Sequence, residues 1–216
     1  MKNLAILSFL LSLFLVSCGD DSGSSVGDSN EEAEKAINTT ISGMAQGPFE
    51  EGATVSVYEL DSNFQKTGYN IETEITNEHG EYSINVKDFK YQYALLKADG
   101  NLRDIFAPEK TSDNTALYAL ADLGNTKKAN INILTHLAHK RVLYLVTKKN
   151  MTVAKAQKQA ETEVLKSFGI DEDLGATEEL DIFVEDKKSS ALITISALMQ
   201  GDLSNRGVKD LLTTYI

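Results

Sequence analysis

Residues 38 to 98 alternate apolar and polar side chains with a period of two, whereas from residue 130 onward the apolar positions recur every three or four residues. That switch constrains the fold more than any other feature of the chain. A period of two buries one face of a strand, a period near 3.6 buries one stripe of a helix, and neither pattern settles in the other form. The expectation is an α+β protein, with strands first and helices after. At 42% apolar and 25% charged residues in 216, the composition is that of an ordinary globular protein.

The first run, "TTISGMA" (39–45), reads as a strand ending near Gly47-Pro48. "ATVSVYEL" (53–60) follows, with Val55 and Val57 against Thr54 and Ser56. "YNIETEIT" (69–76) sets Tyr69, Ile71, Thr73 and Ile75 on one face and Glu72 and Glu74 on the other. "NEHG" (77–80) is turn chemistry, and "EYSINV" (81–86) returns with Tyr82, Ile84 and Val86 inward, so these two runs are expected to form a hairpin. "YQYALLKA" (91–98) is a further strand, closed by Asp99-Gly100-Asn101. Short strands with polar turns predict a small β-sandwich over 38–101. Residues 102–129 form a connecting segment, with loop around Pro108 and a possible further strand in "TALYALADLG" (115–124), where Leu117, Ala119 and Ala121 share a side.

The helical domain is expected over 130–216. Asn132 suits an N-cap, and Leu134, Ala138, Val142 and Leu145 stack on one face, with Lys148 and Lys149 favourable at the C-terminus. A second helix runs from a Thr152 cap to Phe168 and stops at Gly169, its stripe being Val153, Ala156, Ala160, Val164 and Phe168. Ser189 or Ser190 opens a third, stopped by Gly201, and Ser204 a fourth that ends at Ile216. The four are expected to form a compact bundle.

The N-terminus has a different character. Met1-Lys2-Asn3 is a short cationic start, Leu4 to Val16 is thirteen nearly all-apolar residues, and the chain's single cysteine, Cys18, closes Leu15-Val16-Ser17-Cys18. The apolar run fits a signal peptide and is too short for a spanning helix of about 20 residues. These four residues resemble the lipobox of bacterial lipoproteins. The resemblance implies a signal peptide over 1–17, cleavage after Ser17, and a Cys18 carrying diacylglycerol and a further acyl chain such as palmitate. Two or three chains anchor stably where one holds marginally. Residues 18–37 are rich in Gly, Ser and acids and read as a flexible acidic tether. The acids Asp20 and Asp21 resemble a surface-export signal of some Gram-negative groups. The expected location is the cell envelope, on the outer membrane, with its side left open.

Two further resemblances cover the rest of the chain. "ISGMAQGPFEEGATVSVYEL" with "TNEHGEYSINV" is similar to the carboxypeptidase regulatory-like, or transthyretin-like, β-sandwich, the matching positions being Gly43, Gly52, Ala53, Thr76, Gly80, Tyr82 and Ile84. That module has no catalytic residues and commonly serves attachment or spacing in exported proteins. "GPFEEGATVSVYELD" together with "LTHLAHKRVLYLV" and "AKAQKQAETEVLKSFGI" resembles a group of uncharacterised lipoproteins from fibre-degrading bacteria. Its members extend further, which implies that this chain is a shortened one.

Candidate chemistry is sparse. Gly23-Ser24-Ser25-Val26-Gly27 matches the G-x-S-x-G elbow of serine hydrolases, but an elbow needs a strand before it and a helix after it, and here it falls in the tether. His136 and His139 are three apart and project from one side of a helix. Zinc needs a third protein ligand, none is placed nearby, and His79 belongs to a distant turn, so the two rings are expected on a polar face of the helix, packing against the sandwich or facing solvent, and no metal is expected. Residues 171–186 hold eight acids and no base, as a solvated acidic connection or as oxygens for calcium, though without EF-hand spacing. Glu72, Glu74, Glu78 and Glu81 surround one turn, but a glycosidase pair sits in an aromatic cleft and the chain has no Trp. No phosphate-binding glycine loop or dinucleotide fingerprint is present, and no cofactor is expected.

A net charge of −11 and a pI near 4.8 argue against nucleic acid as a partner and against adsorption to anionic lipid through a basic face. Tyr58, Tyr69, Tyr82, Tyr91 and Tyr93 fall in the strand region, where aromatic rings either fill a core or stack on sugars. The face bearing Tyr69, Tyr91 and Tyr93 is the candidate ligand surface. The expected function is non-enzymatic: a module anchored to the bilayer through Cys18 that binds or positions an envelope protein or a polysaccharide. The competing expectation is an enzyme, or an enzyme accessory subunit, acting on envelope or plant polysaccharide.

Overall fold

The computed structural model describes residues 36–47, 49–102 and 114–201. The expected signal segment, Cys18, the G-x-S-x-G stretch, the Pro108 region and the expected helix over 204–216 lie outside the described residues. Within them are two β-sheets and three α-helices, an α+β arrangement. The strands are β1 (Ile37–Gln46), β2 (Thr54–Leu60), β3 (Lys66–Glu74), β4 (Glu81–Phe89), β5 (Tyr93–Gly100), β6 (Thr115–Asp122) and the two-residue β7 (Ile131–Asn132). The helices are α1 (Ile133–Lys149), α2 (Val153–Ser167) and α3 (Lys187–Gly201), with a short 3₁₀ turn at Thr177–Glu179.

One sheet has the order β4-β1-β7, the other β3-β2-β5-β6. All pairings are antiparallel except that of β1 with β7. The expected hairpin between β3 and β4 does not form: β3 pairs with β2, and β4 pairs with β1 in the other sheet. Ile75 is still held to Ala53, its N–H donating to the Ala53 carbonyl at 2.8 Å, and five residues later the Gly80 carbonyl accepts from Ala45 N–H of β1 at 2.8 Å. The turn therefore carries the chain from one sheet to the other. Asn77 organises it, its side-chain oxygen accepting from the N–H groups of His79 and Glu81. Gly80 is required there because its φ is +77° and a Cβ would lie 2.3 Å from the Ala45 carbonyl oxygen.

The strand alternation sorts side chains as the pattern dictates. Ile41, Ile84 and Val86 from the first sheet and Val55, Val57, Leu96, Ala98, Leu117 and Ala119 from the second belong to one apolar core. The opposite face of the second sheet is also covered, Leu60, Leu95 and Leu120 packing against Ala138, Val142 and Leu145 of α1 and Val153, Ala156 and Ala160 of α2. Hence β5 and β6 bury side chains on both faces, and the alternation expected over 115–124 forms a strand over Thr115–Asp122, paired to β5 along its length.

Asn132 caps α1 with a reciprocal box: its Oδ1 accepts from Thr135 N–H at 3.0 Å, and Thr135 Oγ1 accepts from Asn132 N–H at 2.9 Å. Thr152 stands at the N-cap of α2 but its hydroxyl makes no capping bond. The opening of α3 differs from expectation. Asp186, not Ser189 or Ser190, is the cap, accepting from Ser189 N–H at 2.7 Å, because a carboxylate caps the orphan N–H groups as well as a hydroxyl and also answers the helix dipole. Among the described residues no helix is long and apolar enough to cross a membrane.

Candidate functional site

The three candidate tyrosines are not brought onto one face. Tyr69 follows the phase of Ile71, which pairs with Val57, and its ring meets Phe89 edge-on at 5.4 Å at the margin of the main core. It is 45% exposed. Tyr93 shares the phase of Leu95 on the opposite face of the same sheet, half-buried and stacked on Phe64 at 5.2 Å. Burial, with the Asp122 carboxylate beside it, raises the Tyr93 phenol above its usual range. Tyr91 precedes β5 and is half-buried.

Tyr91 leads to a group that the pattern of residues does not disclose. Glu59 falls in β2 in the phase of Val55 and Val57 and is buried. Its Oε1 accepts from the N–H groups of Lys90 and Tyr91, and its Oε2 from the Thr67 hydroxyl at 2.7 Å. A carboxylate in that setting ties the β4–β5 connection to the start of β3. It is thus occupied by structure. The same holds for two acids of the turn cluster: Glu72 accepts from Ser56 Oγ at 2.8 Å, and Glu81 from the Asn77 side chain at 2.6 Å.

The two histidines are buried against the sheet, the packed and not the solvated setting of the two expected for them, because the first half of α1 is enclosed: Ile133 through His139 are all buried. Tyr118 of β6 stacks on both rings, 4.9 Å from His139 and 5.7 Å from His136. His139 Nδ1–H donates to the His136 carbonyl, which fixes the tautomer and leaves Nε2 bare. Neither ring nitrogen of His136 has a hydrogen-bond partner among the described residues. Burial, followed by the neighbouring His139 and Lys140, pushes the His136 imidazole down to about 3. Burial also lowers His139. His79 is elsewhere, its ring edge-on to Phe183 at 4.7 Å. Among the described residues no three His, Cys, Asp or Glu side chains are grouped to hold a metal ion.

A buried polar assembly lies where β7, α1, α2 and the acidic connection meet. Asn130 Oδ1 accepts from Met44 N–H at 2.9 Å, while its Nδ2 donates to the Leu180 carbonyl at 2.8 Å. Asn132, besides capping α1, donates through Nδ2 to the Thr177 carbonyl at 2.8 Å. From the other side Glu161 of α2 accepts from Thr177 N–H at 3.3 Å and from its hydroxyl at 2.9 Å. Burial, with Glu178 next in effect, pushes the Glu161 carboxyl up to about 7. The space bounded by Leu120, Thr135, His139, Glu161 and Thr177 measures about 20 Å³, room for one water and not for a substrate. Neither Glu161 nor Asn130 was legible as a site. The one signal is that Glu161 sits beside Ala160 at the edge of the α2 apolar stripe.

The acidic connection is pinned by these bonds and by its own. Asp173 accepts from Gly175 N–H at 3.0 Å and pairs with Lys158, and Glu172 pairs with Lys187 at 2.7 Å. Cys18, the lipidation candidate, lies outside the described residues. Comparison of the chain with protein-family models, with curated proteins and with solved structures found no match.

Proposed function

We propose that the protein is an exported, lipid-anchored module of the cell envelope that binds or positions a partner, protein or glycan, without catalysing a reaction. The observation that carries this reading is Leu15-Val16-Ser17-Cys18 standing directly behind a cationic start and a thirteen-residue apolar run. Acylation of Cys18 holds the chain to the bilayer, on the outer membrane, and residues 18–37 tether the folded part to that anchor. The two sheets form a small sandwich of the transthyretin-like kind, and the helices a bundle against it. Two observations support the sandwich. Alternate residues of both sheets share one core, and matching positions are sterically demanding: a Cβ on Gly43 would lie 2.0 Å from the Ala129 carbonyl oxygen, which also accepts from the Tyr82 hydroxyl. The non-enzymatic reading is supported by the engagement of Glu59, Glu161, His136 and His139 in packing and structural hydrogen bonds.

Labelled palmitate fed to expressing cells is expected to enter the wild-type chain and not Cys18→Ser; an unlabelled wild type overturns the anchor. Protease shaving of intact cells then reads the side. Digestion of the β-sheets places a glycan or adhesion partner outside the cell, and protection until the envelope is broken places a protein partner in the periplasm. For a glycan ligand, Tyr69 is the ring of the three that is free to stack. Tyr69→Ala is expected to lower affinity several-fold, whereas Tyr93→Ala, which removes a ring from the Phe64 stack, is expected to lower the melting temperature and leave affinity unchanged.

A further inference from the structure

The acidity of the chain is not evenly spread. Between residues 140 and 166 there are seven Lys and Arg and two Glu, against fourteen and thirty in the rest. Of the two, Glu161 is buried and Glu163 is taken up by Arg141, whose Nε donates to it at 2.7 Å across the α1–α2 hairpin. Lys140 and Lys148 lie on the exposed stripe of α1, Lys155 and Lys166 on that of α2, and among the described residues none of the four forms an ion pair. Lys158 borders, with Lys155 and Lys166, a shallow groove along α2 and is paired with Asp173. Tyr144 stands among these cations, 44% exposed, with the Arg141 guanidinium 5.4 Å and the Lys149 ammonium 5.9 Å from its ring centroid.

We propose that this outer face of the α1–α2 hairpin docks on an anionic phospholipid surface. Its form suits a plane of charged headgroups: exposed cations on two neighbouring helices, a shallow open groove along α2, and beside the cations an amphipathic ring of the kind that settles at a membrane interface. Proximity completes the argument, and here the inference rests on the lipid-anchor reading. The nineteen residues from Cys18 to Ala36 span at most roughly 65 Å. A folded unit of about 180 residues has a radius of gyration near 16 Å, so the chain is long enough to let either side of the unit reach the bilayer. Anchoring raises the effective concentration of the face at the surface, and a weak electrostatic contact then suffices. The net acidity of the whole chain opposes adsorption only where its charges are averaged, and beyond a Debye length of about 8 Å they are screened separately.

The test uses the unacylated Cys18→Ser chain, so that the face is measured without the anchor. It is expected to float with vesicles of phosphatidylethanolamine and phosphatidylglycerol in equal parts, to be released by salt, and not to float with phosphatidylcholine. Lys148→Glu, Lys155→Glu and Lys166→Glu together are expected to lower binding at least about tenfold. Lys87→Glu, Lys90→Glu and Lys128→Glu, an equal change of charge on exposed positions elsewhere, are expected to preserve most of it, with folding of both variants verified by circular dichroism. Equal loss in the two triple variants, or no loss in the first, overturns the proposal. So does a hairpin that binds soluble polyphosphate but no vesicle, which makes the occupant a dissolved polyanion. Vesicle binding by a chain whose wild type takes up no palmitate upholds this face while removing the anchor.

Discussion

Glu161 shows what a single buried acid does to the stability of the protein. Its carboxyl titrates near 7 when folded and near the ordinary 4.5 when unfolded, so the folded chain binds the extra proton. Its contribution is complete below the unfolded value and is lost as pH rises from about 4.5 to about 7. His136 works in the opposite sense. Held neutral down to about 3, it costs nothing above the unfolded value near 6.5 and removes stability as pH falls below it. Stability measured by urea titration is therefore expected to peak at about pH 5 to 6. Glu161→Gln retains an acceptor for Thr177 and is expected to flatten the fall toward neutral pH, with a gain on the order of 2 kcal/mol at pH 8. Gly43 gives a second residue-scale prediction. Gly43→Ala drives a Cβ into the Ala129 carbonyl, backbone against backbone, and is expected to cost about 2–4 kcal/mol or to prevent folding, readable as a lowered urea midpoint. Of these residues only the glycine was legible, through the resemblance that includes it. A buried Glu and a buried His are written in the same letters as exposed ones.

At the scale of elements, α1 depends on Asn132 twice, for its cap and for the bond to the Thr177 carbonyl. Asn132→Ala loses a cap worth about 1 kcal/mol and leaves a buried carbonyl short of a donor, at about 1–3 kcal/mol. A total near 2–4 kcal/mol is expected from denaturation, with hydrogen-exchange protection lost first at the Thr135 amide. Asn132→Asp restores the cap but cannot donate, and is expected to recover only part of the loss. Helix ends were readable where local chemistry decides them, as at Asn132 and Gly169. Strand partners were not. The alternation in 69–76 and 81–86 is the same whether these runs pair with each other or with β2 and β1, because period two records which face is buried and not which neighbour lies alongside.

At the scale of the whole molecule, the second sheet is covered on both faces. Leu60, Leu95 and Leu120 pack across their outer side against side chains of α1 and α2, and β7, which immediately precedes α1, pairs with β1. A fragment ending at residue 129 exposes that layer and removes β7. It is expected to aggregate or to unfold without a cooperative transition, while the chain from residue 36 onward melts as one unit; calorimetry of the two checks this.

What the sequence determined by itself is whatever follows from short-range order: α+β class from the two periods, most strand and helix positions, and the Asn132 cap. The tertiary structure alone decided which strands are neighbours, that His136 and Glu161 are buried, that Tyr69 and Tyr93 part to opposite faces, and that Arg141 of α1 meets Glu163 of α2. Local patterns record the environment a residue prefers within a few positions. Contacts between residues as distant as 130 and 180 depend on how whole elements stack, and many arrangements of the same elements satisfy the same local pattern.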